Sequence, residues 1–409
     1  MATTPKKTKK KTVSPSSIPG WDEMSPIQRS RALALANSID DAGRVIPASD
    51  FDSNLQMIHV PDICYQWALG RPGYATGRIQ VLMGYEGSSK TSKQFALANW
   101  TMQQGGIARA VFVEHADSTF HMKQYISEDM MPYFMCHVCD TLEEAIAESY
   151  RILNEYEQID PENKVKKFLL FDSVAGATQE KLLEDESEPG APKPGGIGAI
   201  MSDFVNAMKT RIHNTNTLWA VNNQGKDQIP TGFAARVPMS EDEKMIGKGG
   251  RALPFHATYQ ERVKRAGQIK GDTDVGRVME GFEVKLKFRK NKLGVPGREI
   301  SYNVEWGKGI QFVPHTMAFL SAGRVCGMMD QAGAGSRPKT YYSKEMGISK
   351  ASALNAEEMY AAVHSPEYLP MFQRELDVIT DISGSSGRDP VPVLSECHEA
   401  QEEPPPPPQ

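Results

Sequence analysis

Between residues 78 and 223 the chain carries four short apolar runs, RIQVLMG, ARAVFVEH, KKFLLFDS and NTLWAVNN, each rich in β-branched or aromatic residues. Their length suits buried strands, and the stretches between them are long enough for crossover helices. The pattern therefore predicts an α/β fold with a mostly parallel central sheet. A fifth run, EVKLKFRKN, alternates apolar with charged residues, which predicts a half-exposed antiparallel strand at one side of that sheet. KTSKQFALANWTMQQ, just after the first run, is a helix candidate. Near the start, Ser25-Pro26 is an N-cap and N1 pair for a short helix, SPIQRSRALALANSI, whose apolar residues are Ile27, Leu33, Leu35 and Ile39. A smaller helical segment is predicted over about 325–375, and no internal repeat is evident.

The two ends lack such periodicity. MATTPKKTKKKTVSPSSIPG combines lysine with Ser, Thr and Pro and reads as a disordered basic arm, suited equally to touching nucleic acid or to solubilising the chain. SECHEAQEEPPPPPQ is an acidic, proline-rich tail, and DISGSSGRDP marks where folded structure is expected to stop. The resulting division is 1–24 arm, 25–57 N-terminal helix and strand, 58–315 core, 316–380 small C-terminal domain and 381–409 tail.

Composition changes this picture little. With 409 residues, 40% hydrophobic and 24% charged, the chain is an ordinary soluble protein long enough for one large domain with appendages. No apolar run approaches the roughly 18 residues of a membrane span, so a soluble intracellular protein without membrane contact is expected. The formal net charge of -5 argues against gripping nucleic acid over the whole surface but allows a local basic groove. Five scattered cysteines give no disulfide framework, and the lone CHVC pair at Cys136 and Cys139 reads as reduced thiols rather than zinc ligands.

Candidate chemistry begins at GYEGSSKTS, residues 84–92, which nearly matches the phosphate-binding pattern GxxxxGK[ST] but has Ser89 where glycine belongs. It lies after a strand and before a helix, where free N–H groups and the helix dipole meet a polyphosphate. Lys90 would reach the phosphates and Thr91 would supply a hydroxyl to Mg²⁺. By itself the loop is also compatible with an ordinary Gly/Ser/Lys turn. The second strand ends in Glu114 and the third in Asp172, and the carboxyl ends of parallel strands share one crevice. Asp172 follows FLLF, as a metal-supporting carboxylate should, and Glu114 is placed as a general base. Each alone reads equally as a helix cap or surface acid.

Over residues 58–375 these segments, in order, resemble the bacterial-type RecA recombinases. The resemblance is carried by IHVPDICYQWALGRPGYATGRIQVLMGYEGSSKTS, VFVEHADSTF, FLLFDSVAGATQE, NTNTLWAVNNQ, GGRALPFHAT, FRKNKLGVP and WGKGI followed by DQAGA. It implies a RecA-like P-loop ATPase core, an N-terminal helix and strand for polymerisation and a small α+β C-terminal domain. It assigns Gly84, Tyr85, Glu86, Gly87, Ser88, Ser89, Lys90, Thr91 and Ser92 to the phosphates, and Thr91 and Asp172 to Mg²⁺. Glu114 would activate water, Gln224 would sense the γ-phosphate, and Asp117 and Phe120 would flank the adenine of ATP. Lys290 and Lys292 would act on a neighbouring subunit's ATP, as an arginine finger does; the alternative is a solvated edge strand.

The resemblance also implies two DNA-facing loops. The first, near 184–196, departs from the family in being rich in proline and acid. The second spans about 225–250 and offers Lys226, Arg236, Lys244 and Lys248 to phosphates and Phe233 as a wedge between bases, followed by Gly249, Gly250 and Arg251. Phe255 would relay the state of Gln224 or be core. The helix around 26–39 and the strand-like GRVIPA, with Val45 or Ile46 inserted, would dock on the adjacent subunit. The implied activity is an ATP-dependent recombinase that forms helical filaments on single-stranded DNA and pairs it with a homologous duplex. Its place would be the cytoplasm of a bacterial cell, or of a host if phage-encoded. The rival is a RecA-fold regulatory or structural DNA-binding filament protein with weak or no ATP hydrolysis, and Ser89 is its best support. A hexameric helicase fits the KNK strand and GGRAL segment less well.

Overall fold

In the computed structural model of the chain, the described residues are 21–29, 55–114, 118–176, 196–227, 245–273, 276–312, 330–332, 340–344 and 346–371. The first DNA-facing loop up to residue 195, most of the second loop, GRVIPA, both tails, His115 and Asp117 lie outside them. The chain divides into two compact units, Met1–Leu55 and Gln56–Gln409. In the first, Trp21–Glu23 forms a 3-10 turn and the helix starting at residue 26 is capped reciprocally. Ser25 N–H donates to Gln28 Oε1 (2.8 Å), and Gln28 N–H donates to Ser25 Oγ (3.4 Å).

The second unit opens with β1 (Met57–His59), α1 (Ile63–Leu69) and β2 (Gly73–Ala75). The central elements follow: β3 (Ile79–Gly84), α2 (Lys90–Gln103), β4 (Ile107–Phe112), α3 (Thr119–Met122), β5 (Met135–Val138), α4 (Leu142–Ile159) and β6 (Lys167–Asp172). Then come α5 (Ile197–Asn214), β7 (Thr217–Asp227), β8 (Met245–Gly247), α6 (Ala252–His256), β9 (Tyr259–Thr273), β10 (Gly276–Asn291), β11 (Glu299–Glu305) and β12 (Gly309–Phe312). A strand pair, β13 (Asp330–Ala332) with β14 (Thr340–Tyr342), and α7 (Ala356–Val363) complete it. The C-terminal segment read as helical thus also contains antiparallel strands.

The large sheet runs β12-β11-β10-β9-β3-β7-β6-β4-β5, with β8 attached to β7. The strands from β9 to β5 are mutually parallel, and β10, β11 and β12 add antiparallel at one side. Apolar continuity explains the parallel part: every residue of β6 is buried, because helices cover both faces. Phe168 and Leu170 join the core beneath α1 and α2, while Leu169 and Phe171 join the core beneath α4 and α5. On the second face Trp219 packs edge-on against Phe204, ring centres 5.1 Å apart, and against Phe171 at 6.4 Å. Burying one such side chain contributes roughly 2–3 kcal/mol.

β10 alternates as the sequence indicates, with Val284, Leu286 and Phe288 inward and Lys285 and Arg289 outward. It is no edge strand, however, because β9 and β11 flank it. Its alternation reflects a sheet flank covered on one face only. α4 begins at a capping box in which Glu144 N–H donates to Thr141 Oγ1 (3.1 Å) and Thr141 N–H donates to Glu144 Oε2 (3.3 Å). α7 is tied back to the core by Tyr360, whose hydroxyl donates to the buried Asp62 Oδ2 (2.5 Å) at the cap of α1.

Candidate active site

Parallel register aligns the carboxyl ends of β3, β4, β6 and β7: Gly84 lies opposite Gln224, and Phe112 opposite Asp172. The loop leaving β3 folds on itself there. The Tyr85 carbonyl accepts from Ser88 Oγ (2.6 Å), Ser88 N–H (3.3 Å) and Lys90 Nζ (2.8 Å). Gly84 is needed for space rather than for turning, since a Cβ there would overlap Ser88 Oγ and lie 2.6 Å from the Val263 carbonyl. Gly87 is the reverse: a Cβ would meet nothing within 4 Å, but its φ of 68° is the left-handed conformation.

Ser89 takes φ 73° and ψ 27°, so a serine holds the left-handed conformation that the missing glycine would hold at no cost. For a residue with a Cβ this strain is about 1–2 kcal/mol. Its side chain makes no capping bond to α2, and Oγ is buried without a hydrogen-bond partner. An orphaned hydroxyl beside the start of α2, next to a lysine ammonium and a threonine hydroxyl, fits a phosphate group.

Two carboxylates face this loop. Asp172 Oδ2 accepts from Thr91 Oγ1 (2.6 Å) and from Asn222 Nδ2 (2.8 Å). A threonine hydroxyl held against a carboxylate suits Mg²⁺, which binds through one or two protein groups with substrate phosphates supplying further oxygens. Glu114 Oε1 accepts from Ser173 Oγ (2.5 Å) and Gln224 Nε2 (3.3 Å). The Asp172–Ser173 peptide is cis. Burial pushes the Lys90 ammonium below its ordinary value, while the carboxylates of Asp172, Glu114 and Glu86 act in the opposite direction. Lys90, Thr91, Glu114, Asp172 and Gln224 are therefore brought together from four elements. Ser173 and Asn222 are site residues that the motifs missed; their only signal is adjacency to Asp172 and to the NNQ stretch.

Around this centre, Ser92 Oγ lies 3.1 Å from His121 Nε2, which sets α3 against α2 and leaves Phe120 78% exposed. Tyr85, Glu86 and Gly87 are also exposed. Lys290 and Lys292 are not brought to Lys90. Lys290 Nζ donates to the carbonyls of Pro254 (2.9 Å) and Phe255 (2.8 Å), closing the end of α6, and Lys292 is exposed. Burial and then the charges of Lys209, Lys292 and Lys290 lower the pKa of His256. Its neighbour Phe255 is 72% exposed and not core.

Of the DNA-facing candidates, Lys226 and Arg251 are exposed, and Phe233, Arg236 and Lys244 lie outside the described residues. Lys248 faces inward: Nζ donates to the Ala175 carbonyl (2.7 Å), and its backbone exchanges hydrogen bonds with the Asn223 side chain. Gly249 and Gly250, at φ 87° and 78°, turn the chain from β8 into α6. A Cβ at Gly249 would lie 2.8 Å from Val174 Cγ1.

Comparison with known proteins agrees with this arrangement. The family model of the RecA N-terminal domain matches residues 40–311. Protein RecA of Aquifex pyrophilus is 26% identical over 368 residues, covering 87% of this chain and 93% of that protein. Protein RecA of Aquifex aeolicus is 25% identical over 292 residues (71% and 78%), and that of Listeria ivanovii 29% over 260 residues (63% and 68%). With its parallel sheet, phosphate-type loop and matched span, the chain belongs to the RecA family.

Proposed function

We propose that this protein is an ATP-dependent DNA recombinase that assembles as a helical filament on single-stranded DNA and exchanges strands with a homologous duplex. The observation that carries the reading is the convergence of Lys90, Thr91, Asp172, Glu114 and Gln224 at the carboxyl ends of parallel strands. Lys90 and the N–H groups at the start of α2 hold the β and γ phosphates of ATP. Thr91 and Asp172 hold Mg²⁺, which when bound neutralises charge on the phosphate oxygens. Glu114 orients the attacking water and takes its proton. Gln224 shares Oε1 of Glu114, so contact with a γ-phosphate would compete with that bond and report nucleotide state to β7 and the loop beyond it.

Phe120 and Asp117 flank the adenine in this reading, and Lys290 and Lys292 serve a neighbour's ATP. Lys290's role within its own subunit, closing α6 beneath the exposed Phe255, suits a residue at a subunit boundary. Lys226 and Arg251, with Phe233, Arg236 and Lys244, meet DNA. Lys248 is reassigned to holding the base of that loop. Residues 25–57 build the filament, 58–315 form the ATPase core and 316–380 the small C-terminal domain. No helix among the described residues is long and apolar enough to cross a membrane. The protein would act in the cytoplasm of a bacterial cell or of a phage host.

One observation favours a second reading, a DNA-binding filament protein with weak or no ATP hydrolysis: the strained, partnerless Ser89. Incubation of the full chain with circular single-stranded DNA, homologous linear duplex, ATP and Mg²⁺ separates them. Joint molecules and exchanged products are expected; DNA binding without pairing would favour the second reading.

A further inference from the structure

The carboxylate of Glu114 is oriented by the turn that follows Asp172, to whose residues the resemblance gives no role. Ser173 Oγ donates to Glu114 Oε1 over 2.5 Å and itself accepts the N–H of Gly176 over 3.2 Å. Gln224 Nε2 approaches the same Oε1 at 3.3 Å, and among the described residues nothing donates to Oε2. A carboxylate whose one oxygen is saturated by donors presents the lone pairs of the other in a fixed direction.

The turn is firmly anchored. Val174 is fully buried and its N–H donates to the Asn222 carbonyl (3.3 Å), while Lys248 Nζ holds the Ala175 carbonyl (2.7 Å). Gly176 closes it against Glu114. Any Cβ at that position would overlap Glu114 Cγ and lie 2.7 Å from its carboxyl carbon. The φ of Gly176 is not left-handed, so what demands glycine there is the carboxylate rather than the backbone.

We infer that Ser173 is a positioning residue for Glu114. Its hydroxyl, set by the Gly176 N–H, pins Oε1 so that Oε2 addresses the attacking water. Gln224 is the weaker of the two donors by distance, and its departure toward a phosphate would leave Glu114 still held by Ser173. The inference rests on the proposed role of Glu114 in ATP hydrolysis.

The test compares full-length wild type, Ser173→Ala, Ser173→Thr and Gly176→Ala for DNA-stimulated ATP hydrolysis, with affinity for a fluorescent ADP analogue measured in parallel. Ser173→Ala is expected to lower kcat about 10-fold or more while KM and ADP affinity stay within about twofold. Ser173→Thr, which keeps the hydroxyl, should restore most of the rate. Gly176→Ala should reproduce the kcat defect with ADP affinity retained. An unchanged kcat in Ser173→Ala beside an active wild type overturns the positioning role alone. A defect that threonine fails to restore, or that falls on ADP affinity, overturns it too. A wild type that binds nucleotide without hydrolysing it contradicts the role of Glu114 itself, and with it this inference.

Discussion

Thr91 Oγ1 donates to Asp172 Oδ2 across 2.6 Å, joining the first turn of α2 to the end of β6. With its hydrogen directed at the carboxylate, the Thr91 hydroxyl keeps lone pairs for a cation. Asn222 holds the same Asp172 oxygen from β7, so the pair is fixed from three elements. Asp172→Asn preserves shape but removes the charge and replaces one of the two acceptor oxygens by a donor. It should lower kcat for ATP hydrolysis about 100-fold. Steady-state kinetics at saturating Mg²⁺ measures this; a rate near that of the wild type would exclude Asp172 from metal support.

The left-handed Ser89 makes a prediction about stability as well as rate. Ser89→Gly removes the Cβ from a φ of 73° and deletes a buried hydroxyl without a partner, so nucleotide-free protein should gain about 1 kcal/mol in denaturant unfolding. A loss of stability would mean that the serine side chain is not strained there.

Behind the loop, Lys93 Nζ and Glu261 Oε2 form an ion pair at 2.8 Å with both side chains 0% exposed. Tyr74 OH (3.1 Å) and Gln80 Nε2 (2.9 Å) complete it, binding α2 to β9, β3 and β2. Breaking such a pair strands a charge. Lys93→Met should therefore cost about 3–5 kcal/mol, whereas Lys93→Met with Glu261→Leu should recover most of the loss. Additive losses in the double variant, seen in thermal or denaturant unfolding, would contradict this.

That pair also shows where the sequence was opaque. The four central strands were legible because a sheet covered on both faces needs unbroken apolar runs, and FLLF or TLWAV can satisfy little else. β9 was missed because Glu261, Arg262 and Lys264 interrupt its pattern. Glu261 is tolerated only because Lys93, far away in sequence, neutralises it in space. Lys90, Thr91, Glu114 and Asp172 were legible because chemistry fixes their spacing from strand ends. Ser173 and Gly176 act through a side chain elsewhere in the chain, a relation that spacing cannot encode. Lys248 reads as a phosphate contact because the resemblance places it in the second DNA-facing loop; its partner, the Ala175 carbonyl, carries no side-chain signature.

Filament assembly is assigned to the N-terminal helix and strand. Removing residues 1–50 should abolish filaments while leaving a folded monomer, checked by electron microscopy on single-stranded DNA and by circular dichroism. Filaments that persist in the truncated protein would place the polymerising contact elsewhere.

The most direct measurement is ATP hydrolysis with and without single-stranded DNA for wild type, Lys90→Ala and Ser89→Gly. Strong stimulation by DNA is expected in the wild type, loss on the order of 100-fold in Lys90→Ala, and a rate at or above wild type in Ser89→Gly. A wild type without DNA-stimulated hydrolysis, restored to activity by Ser89→Gly, would contradict a working ATPase site in this protein.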